Sequence, residues 1–151
     1  MPGARRAAAL LVILLALTGC GRTVTGSPSA LPVVDEDQSL VAEYFERNNA
    51  AADEGSAAQR SFLSDTQHPD FSDDQCNLGD LTLMISPALT TLRPDVGWRP
   101  LNSDEAPRGR VYVVAVTVTV QRGTAPVGTQ IGSVHVVVLD GSAYGFAPCP
   151  T

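Results

Sequence analysis

The length, composition and charge of the chain exclude several classes of function. The chain has 151 residues, with 10 basic residues that are all arginine, 16 acidic residues and a formal net charge of −6. Nucleic-acid binding is not expected, because phosphate neutralisation needs clustered cations and these arginines are scattered. Two histidines and three cysteines are too few for a zinc finger or an iron–sulfur centre, so we expect no metal and no cofactor.

The first 20 residues have the layout of an export signal. Arg5 and Arg6 precede an apolar run over residues 7–17, which is shorter than the roughly 20 residues that a membrane-spanning helix needs. The segment ends in Leu17, Thr18, Gly19 and Cys20. At these four residues the chain resembles a bacterial lipoprotein, whose lipobox consists of Leu, a small residue, Gly or Ala, and then Cys.

The resemblance implies that residues 1–19 are a lipoprotein signal peptide and that Cys20 becomes the lipidated first residue of the mature chain. It implies an exported cell-envelope protein that acyl chains such as palmitate anchor to the outer face of the cell membrane. The alternative is an ordinary secretory signal with a cysteine beside its cleavage site. Loss of Arg5 and Arg6 leaves the rest more acidic, so attachment depends on lipid and not on a basic patch. The absence of lysine is typical of a GC-rich genome, such as an actinobacterium's.

Two cysteines, Cys76 and Cys149, remain once Cys20 is assigned to lipid. An even remainder in an exported protein predicts one disulfide bond, which joins the C-terminal end to the middle of the chain. In the chain-entropy model, closing a loop of this size stabilises a protein by roughly 3 to 4.7 kcal/mol. The alternative is a pair of free thiols or a redox couple, although the Cys-x-x-Cys spacing of redox couples is absent.

The chain after the signal peptide is predicted to consist of a tether followed by a folded domain. Residues 20–36, rich in Thr, Ser and Pro, are predicted to contain the lipidated cysteine and a flexible tether, and residues 37–151 to form a single α+β domain. Apolar residues at three- and four-residue spacing predict a helix over Asp35–Glu54, with Asp35 and Gln38 as a capping box and Gly55 as its stop. A shorter second helix is predicted to begin at Ser56.

The second half of the chain is predicted to be mainly strands. Residues 81–86 form a short strand, and a long loop rich in Pro and Gly follows, up to Gly109. Residues 110–121 and 131–139 alternate in polarity, which predicts a hairpin with a connecting loop over residues 122–130. If the valine side chains of both strands lie on the same face of the sheet, Val116 is expected opposite Val134, and Val114 opposite Val136. A turn at residues 140–141 leads into a last strand over residues 143–147.

The order of these elements resembles the NTF2-like or cystatin-like architecture. The resemblance implies an α+β fold in which an amino-terminal helix, with a short second helix, packs on a curved antiparallel sheet of about four strands. Some NTF2-like enzymes abstract a proton with a histidine or aspartate in the concave pocket of the sheet. His135 is therefore the one catalytic candidate, although catalysis also needs an orienting acid and a pocket, and Asp140 does not obviously reach it. The alternative is a histidine bonded to neighbouring hydroxyl groups.

Three further residues are candidates for a functional role. Trp98, the only tryptophan, and Arg99 lie in the long loop and are candidates for a binding tip, whereas the alternative is that Trp98 covers an open edge of the core. His68 is predicted to be a loop residue after a helix end, where a cation suits the helix dipole. With two histidines far apart, a metal pair is not expected.

The sequence carries no catalytic signature. Gly-x-Ser-x-Gly, a phosphate-binding loop with lysine and a dinucleotide fingerprint are all absent. We therefore expect a non-enzymatic, membrane-anchored lipoprotein that binds an envelope protein or a small apolar ligand. The alternatives are a small NTF2-like hydrolase, isomerase or dehydratase that uses His135, and a lipid carrier, which needs a cavity of several hundred cubic ångströms.

Overall fold

The computed structural model describes residues 32–72, 77–101 and 103–146, and in these residues two helices pack on an open antiparallel sheet of five strands. The helices are α1 (Asp35–Glu54) and α2 (Ser56–Asp65). The strands are β1 (Leu81–Pro87), β2 (Arg93–Pro94), β3 (Arg110–Arg122), β4 (Ala125–Leu139) and β5 (Ser142–Tyr144). The predicted α+β class is confirmed, with one strand more than the expected four because the two-residue β2 pairs with β3.

The bounds of α1 agree with the prediction, but its amino-terminal cap does not. Val34 occupies the N-cap position with no side-chain hydrogen bond, so the expected capping box of Asp35 and Gln38 is wrong. Three acidic residues in the first turn complement the helix dipole instead. Gly55 ends the helix at a φ of 119°, where its N–H donates to the carbonyls of Ala51 and Ala52. The buried face of α1 consists of Asp37, Val41, Tyr44, Phe45, Asn48 and Ala52.

The sheet has the order β1-β3-β4-β5, and β2 pairs with β3 on the same side as β1. The face of the sheet that the helices cover carries the even-numbered side chains of β3 and of the second half of β4. These side chains form the core together with α1. The fully buried members of this core are Val41, Phe45, Tyr112, Val114, Val116, Val136 and Val138. The predicted alternation of the hairpin therefore identified the core face correctly.

The hairpin register differs from the prediction by two residues. Val114 lies opposite Val134 and Tyr112 opposite Val136, so the faces coincide as expected but the pairing does not. The expected loop over residues 122–130 is wrong, because β4 begins at Ala125 and the turn contains only residues 123–124. The register shifts between Val120 and Gln121, where Val127 of β4 has no opposite residue, and this β-bulge keeps the even-numbered faces of the two strands together. Turn length sets hairpin register, so the shorter turn accounts for the shift. The last strand is also shorter than expected, because β5 ends at Tyr144.

Amide side chains of the helices occupy the outer edge of β1. Gln59 Oε1 accepts from the Leu83 N–H at 2.9 Å, and Gln59 Nε2 donates to the Leu83 carbonyl at 2.8 Å. Asn49 makes the same pair of bonds with Ile85, both at 2.8 Å. Asn48 accepts from Gln59 and adds a bond to the Leu83 carbonyl. The helices thus take the place of a neighbouring strand at an edge that is otherwise open to pairing with another chain.

A buried carboxylate joins the start of α1 to the start of β3. Asp37 is 1% exposed and accepts two hydrogen bonds from the guanidinium of Arg110 and one from the hydroxyl of Tyr112. The bond with Arg110 is the largest cause that lowers the pKa of Asp37 below its ordinary value, against the opposing effect of burial. Arg110 is held on the protein while most of its side chain stays exposed.

The loop before β3 covers the other face of the sheet. This second face carries the odd-numbered residues of β3 and β4, of which Val111, Val113 and Val137 are buried. Gly109 approaches it with a φ of 99°, and a Cβ there would lie 2.6 Å from the Val138 carbonyl oxygen and 2.7 Å from Val137 Cγ1. Only glycine fits such a close approach in this conformation.

We expect Gly109→Ala to lower the free energy of unfolding by about 2 kcal/mol, because it combines backbone strain with a clash against the sheet. Gly97→Ala is the matched control, since a Cβ at Gly97 meets nothing within 4 Å. Its effect should stay within about 0.5 kcal/mol. Urea unfolding of both variants measures the difference, and equal effects would contradict the close approach at Gly109.

Candidate functional site

The second face brings together two of the residues that the sequence singled out. His135 lies on β4 opposite Val113, and Val113 in turn pairs with Arg93 of β2. Asp95 follows β2 directly, and its N–H donates to the Val111 carbonyl at 2.9 Å. This arrangement places Asp95 Oδ2 3.1 Å from His135 Nε2. His135 therefore has the acidic partner that sequence analysis did not find, and that partner is Asp95 and not Asp140.

Trp98 covers the imidazole of His135. The two rings stack with centroids 4.1 Å apart and planes 15° apart. A turn in which the Trp98 N–H donates to the Asp95 carbonyl at 3.2 Å positions the indole beside the carboxylate. Trp98 is half-buried, as expected if it covers the core, and Arg99 is exposed, with its guanidinium bonded to the Gly97 and Asp104 carbonyls. The two residues of the predicted tip thus differ in environment.

The hydrogen bond with Asp95 assigns the proton of His135 to Nε2. The carboxylate is an acceptor, so Nε2 donates, and Nδ1 has no hydrogen-bond partner among the residues that the structure describes. Burial lowers the pKa of His135 below its ordinary value of 6.5, and this effect exceeds the opposing effect of the hydrogen bond with Asp95. The imidazole is therefore neutral at pH 7, with Nδ1 as a hydrogen-bond acceptor or proton acceptor.

The single tryptophan makes this titration measurable. A protonated imidazole quenches the fluorescence of a stacked indole, so we expect Trp98 emission to fall on acidification with a midpoint below 6.5. Asp95→Asn removes an interaction that raises the pKa of His135, and it should move the midpoint lower still. His135→Gln should abolish the transition. A midpoint above 6.5, or a transition that persists in His135→Gln, would contradict the assigned geometry.

The other histidine, His68, has a structural role. It is fully buried, its Nδ1 accepts from the Asp70 N–H at 3.2 Å, and its Nε2 donates to the Arg108 carbonyl at 2.9 Å. These bonds require the neutral tautomer, so the expected cation at the helix end is wrong. The imidazole of His68 stacks on the ring of Phe146, with 5.7 Å between the ring centroids. The ring of Phe146 in turn packs edge-on against Trp98, with 4.6 Å between the ring centroids. Within the described ranges, no group of three or more potential metal ligands occurs.

The distal part of β4 is exposed on both faces and along its edge. Every residue from 125 to 133 is exposed, and the apolar side chains of Val127 and Ile131 are 53% and 81% exposed. Thr117 and Thr119 of β3 lie on the same face as Ile131, beside an open surface. The pocket that catalysis at this face requires is therefore not formed by the described part of β4.

Among the described strands, none other than β3 pairs with β4 along residues 129–133. β5 pairs with β4 only at Val137, Val138 and Leu139. The backbone groups of Leu83 and Ile85 bond to the helices, so they point away from β3. The residues of β3 that lie opposite them, such as Val118, therefore direct their backbone groups towards β4, where they meet even-numbered residues such as Gln130. The odd-numbered residues of β4 then direct their backbone groups away from β3. The N–H and C=O groups of Thr129, Ile131 and Ser133 therefore face outward, and no other described residue bonds to them.

A shallow groove lies between α1 and the turn before β5. It has a volume of about 150 Å³ and is lined by Leu40, Tyr44 and Ala143 together with the charged Glu43 and Arg47. Its volume is well below the several hundred cubic ångströms that a lipid chain or a drug-sized ligand occupies. The groove therefore gives no support to the lipid-carrier alternative.

Comparisons with protein-family models, with curated proteins and with solved structures found no match. The fold and the candidate site are thus interpreted from their own residues.

Several predicted residues lie outside the described ranges. These are the lipobox with Cys20, and both members of the predicted disulfide, Cys76 and Cys149. Among the helices that the structure describes, none is long and apolar enough to cross a membrane. The lipid anchor and the disulfide therefore remain predictions from the sequence.

Proposed function

We propose that the protein is a lipid-anchored lipoprotein of the cell envelope that binds a protein partner, without acting as an enzyme, through the free edge of β4. The partner supplies an extended segment that pairs with Thr129, Ile131 and Ser133 as an additional strand. The anchor is proposed from the lipobox at residues 17–20, and the binding role from the geometry of the edge.

The observation that carries the binding role is the edge of β4, which has no charged side chain and with which no described strand other than β5 pairs. Soluble proteins protect sheet edges with charged side chains, short strands, or a covering helix. β4 has none of the four charged residue types between residues 125 and 139, and it extends well beyond the part that β5 pairs with. β1 in the same sheet has its edge covered by three amide side chains. The contrast supports a binding role for β4, because described side chains cover the edge of β1 and no described residue covers the distal edge of β4.

A protein partner is favoured over a small apolar ligand. The groove beside α1 is small and carries Glu43 and Arg47, whereas a ligand site usually encloses most of its ligand in an apolar pocket. An extended peptide needs no pocket, since its backbone hydrogen bonds supply affinity and the exposed Ile131 supplies an apolar contact.

Two experiments test the anchor and the partner separately. Metabolic labelling with palmitate should mark the wild-type chain, and Cys20→Ala should remove the label and release the protein from the membrane fraction. A photo-crosslinking amino acid at Ile131 should yield a covalent product in cells, whereas the same group at the exposed Ser61 of α2, on the β1 side of the sheet, should not. Lack of label would overturn the anchor, and equal products at both positions would overturn binding at the β4 edge.

We also propose that the domain belongs to the NTF2-like or cystatin-like architecture. The order of two helices, a strand, a long connection, a long hairpin and a short last strand supports this assignment. An experimental structure with a helix enclosed by a strongly curved sheet would strengthen it, and a flat sheet would contradict it.

The contact between Asp95 and His135 favours a second candidate function, a small NTF2-like hydrolase, isomerase or dehydratase. The carboxylate orients the imidazole so that Nδ1 is the base, as a proton-abstracting site requires. Turnover of a substrate that is lost in both His135→Gln and Asp95→Asn, at unchanged stability, would favour this candidate over the non-enzymatic one.

A further inference from the structure

We propose that two exposed apolar residues of the loop between β2 and β3, Val96 and Leu101, dock on the lipid bilayer that holds the anchor. We call these two side chains the apolar tip. This inference rests on the lipid anchor in the function proposed above, and it adds a second contact between the domain and the membrane. The second contact fixes which end of the sheet faces the lipid.

Val96 and Leu101 occupy the corners of two tight turns. In each turn the N–H of the fourth residue donates to the carbonyl of the first at 3.2 Å, over residues 95–98 and over residues 100–103. Turn corners usually carry Gly, Pro, Asn, Asp or Ser. These two corners carry aliphatic side chains that are 79% and 80% exposed. Packing of the core therefore does not account for either side chain.

Arg99 links the two turns. Its Nη1 donates to the Gly97 carbonyl in the first turn, and its Nε donates to the Asp104 carbonyl just beyond the second, both at 2.9 Å. One guanidinium thus holds both corners in place before they meet a surface. Such preorganisation lowers the conformational entropy that is lost on binding.

The apolar tip lies at the end of the sheet where the predicted tether enters the domain. The loop leaves β2 at Asp95, whose N–H donates to the Val111 carbonyl at the start of β3. The helix α1 begins at the same end, because Asp37 in its first turn bonds to Arg110. Val34, just before α1, is 47% exposed and adds a third apolar side chain at this end. The chain that leads to the anchor therefore starts beside the apolar tip.

A bilayer is favoured as the occupant because the tether keeps it within reach. Residues 20–31 span at most about 40 Å when they are fully extended. The contact of the apolar tip with the lipid is then intramolecular, so a modest affinity suffices. Residues 95–109 contain two arginines and three acidic residues, and the whole chain has a net charge of −6. Apolar contact, and not attraction to anionic headgroups, therefore supplies the attachment.

Docking of the apolar tip directs the hairpin away from the bilayer. β3 has 13 residues, so its far end lies about 40 Å from the loop at about 3.3 Å per residue. The distal part of β4 pairs with this far half of β3. The edge around Ile131 is thus presented to the envelope and not to the lipid.

Quenching of Trp98 by brominated lipid tests the docking. The full-length acylated chain is reconstituted into phosphatidylcholine vesicles, with or without bromine on the acyl chains near the headgroup. Trp98 is the only tryptophan and lies two residues after Val96. Interfacial side chains enter about 5–10 Å below the headgroup boundary, so we expect bromine to lower Trp98 emission by about half. Added anionic phosphatidylglycerol should not increase the quenching, and an increase would overturn apolar contact as its source.

Substitution of the apolar tip should remove most of this quenching. Val96→Ser combined with Leu101→Ser changes two exposed positions, so the fold should be retained. Leu101→Ser alone, which lies in the other turn from the indole, should also reduce the quenching. Val127→Ser is the matched control, because it makes the same change at a 53% exposed valine near the hairpin turn, and it should leave the quenching unchanged.

Sedimentation with the vesicles measures the anchor independently of the apolar tip. If the chain sediments but bromine does not quench Trp98, the docking is overturned while the anchor stands. Equal quenching in the wild type and the double variant would also overturn the docking, and so would an equal loss in Val127→Ser. A chain that does not sediment would overturn both the anchor and the docking.

Discussion

Asp37→Asn is expected to lower the free energy of unfolding by about 3 to 4 kcal/mol, the largest effect of any single substitution that we predict. Removal of one member of a buried ion pair typically costs about 3–5 kcal/mol, and the lower part of that range applies because Arg110 is 61% exposed and rehydrates. The Tyr112 hydroxyl, in contrast, is buried and loses its carboxylate acceptor. Urea unfolding at pH 7 measures the loss.

Asp35→Asn is the matched control for this substitution. It removes the same charge from the same turn of α1, but Asp35 is exposed, so we expect a change within about 0.5 kcal/mol. Equal effects of the two substitutions would show that the helix dipole, and not the contact with Arg110, accounts for the stabilisation.

The effect of Asp37→Asn should depend on pH in a defined direction. The pKa of Asp37 is lowered from 3.8 in the folded state, chiefly by the hydrogen bond with Arg110, so the folded state binds this proton more weakly than the unfolded state. The stabilisation is therefore complete above pH 3.8 and is lost as the pH falls through the lowered value. The difference between wild type and Asp37→Asn should shrink below that pH. A difference that is constant down to pH 2 would contradict this contribution.

Gln59→Leu is expected to cost about 2 to 4 kcal/mol, because it removes the amide that covers the edge of β1. Gln59 is fully buried, and its loss leaves the Leu83 N–H and Asn48 Oδ1 without their partners. Each buried polar group that loses its partner costs about 1–3 kcal/mol, and leucine replaces only the apolar contact. Chemical denaturation measures this cost.

The same substitution should also promote aggregation, because it uncovers backbone groups at a sheet edge. Ser61→Leu is the control, since it places the same side chain on an exposed position of α2. Light scattering during storage at 37 °C should rise for Gln59→Leu and stay near wild type for Ser61→Leu. A rise in both would indicate that the added leucine, and not the uncovered edge, causes aggregation.

The sequence predicted most of the secondary structure, because the signals for it are local. The bounds of α1 follow from the spacing of its apolar residues and from Gly55, and the core face of the hairpin follows from alternating valines. The register was wrong by two residues, because it depends on a two-residue turn and a bulge. Pro126 and Gly128 are residue types typical of loops, whereas here both lie within β4.

The candidate site could be predicted only in part. His135 and Trp98 were each singled out from the sequence, but their stacking was not, because the tip of the long loop folds back over the second face. Asp95 was missed because it is 40 residues from His135 and is positioned by a strand of two residues. Similarly, the bonds of Gln59 and Asn49 to β1 depend on how α1 and α2 lie along the sheet, which the pattern of each helix does not contain.

The amides that cover β1 have a consequence for the size of any assembly built on this sheet. A sheet with two available edges can add chains at both ends and grow into a filament. Here, within the described residues, Gln59 and Asn49 close one end, so growth through β4 stops after a single addition. The amides of Gln59 and Asn49 thus act as a stop at one end of the sheet, which limits association through β4 to two sheets.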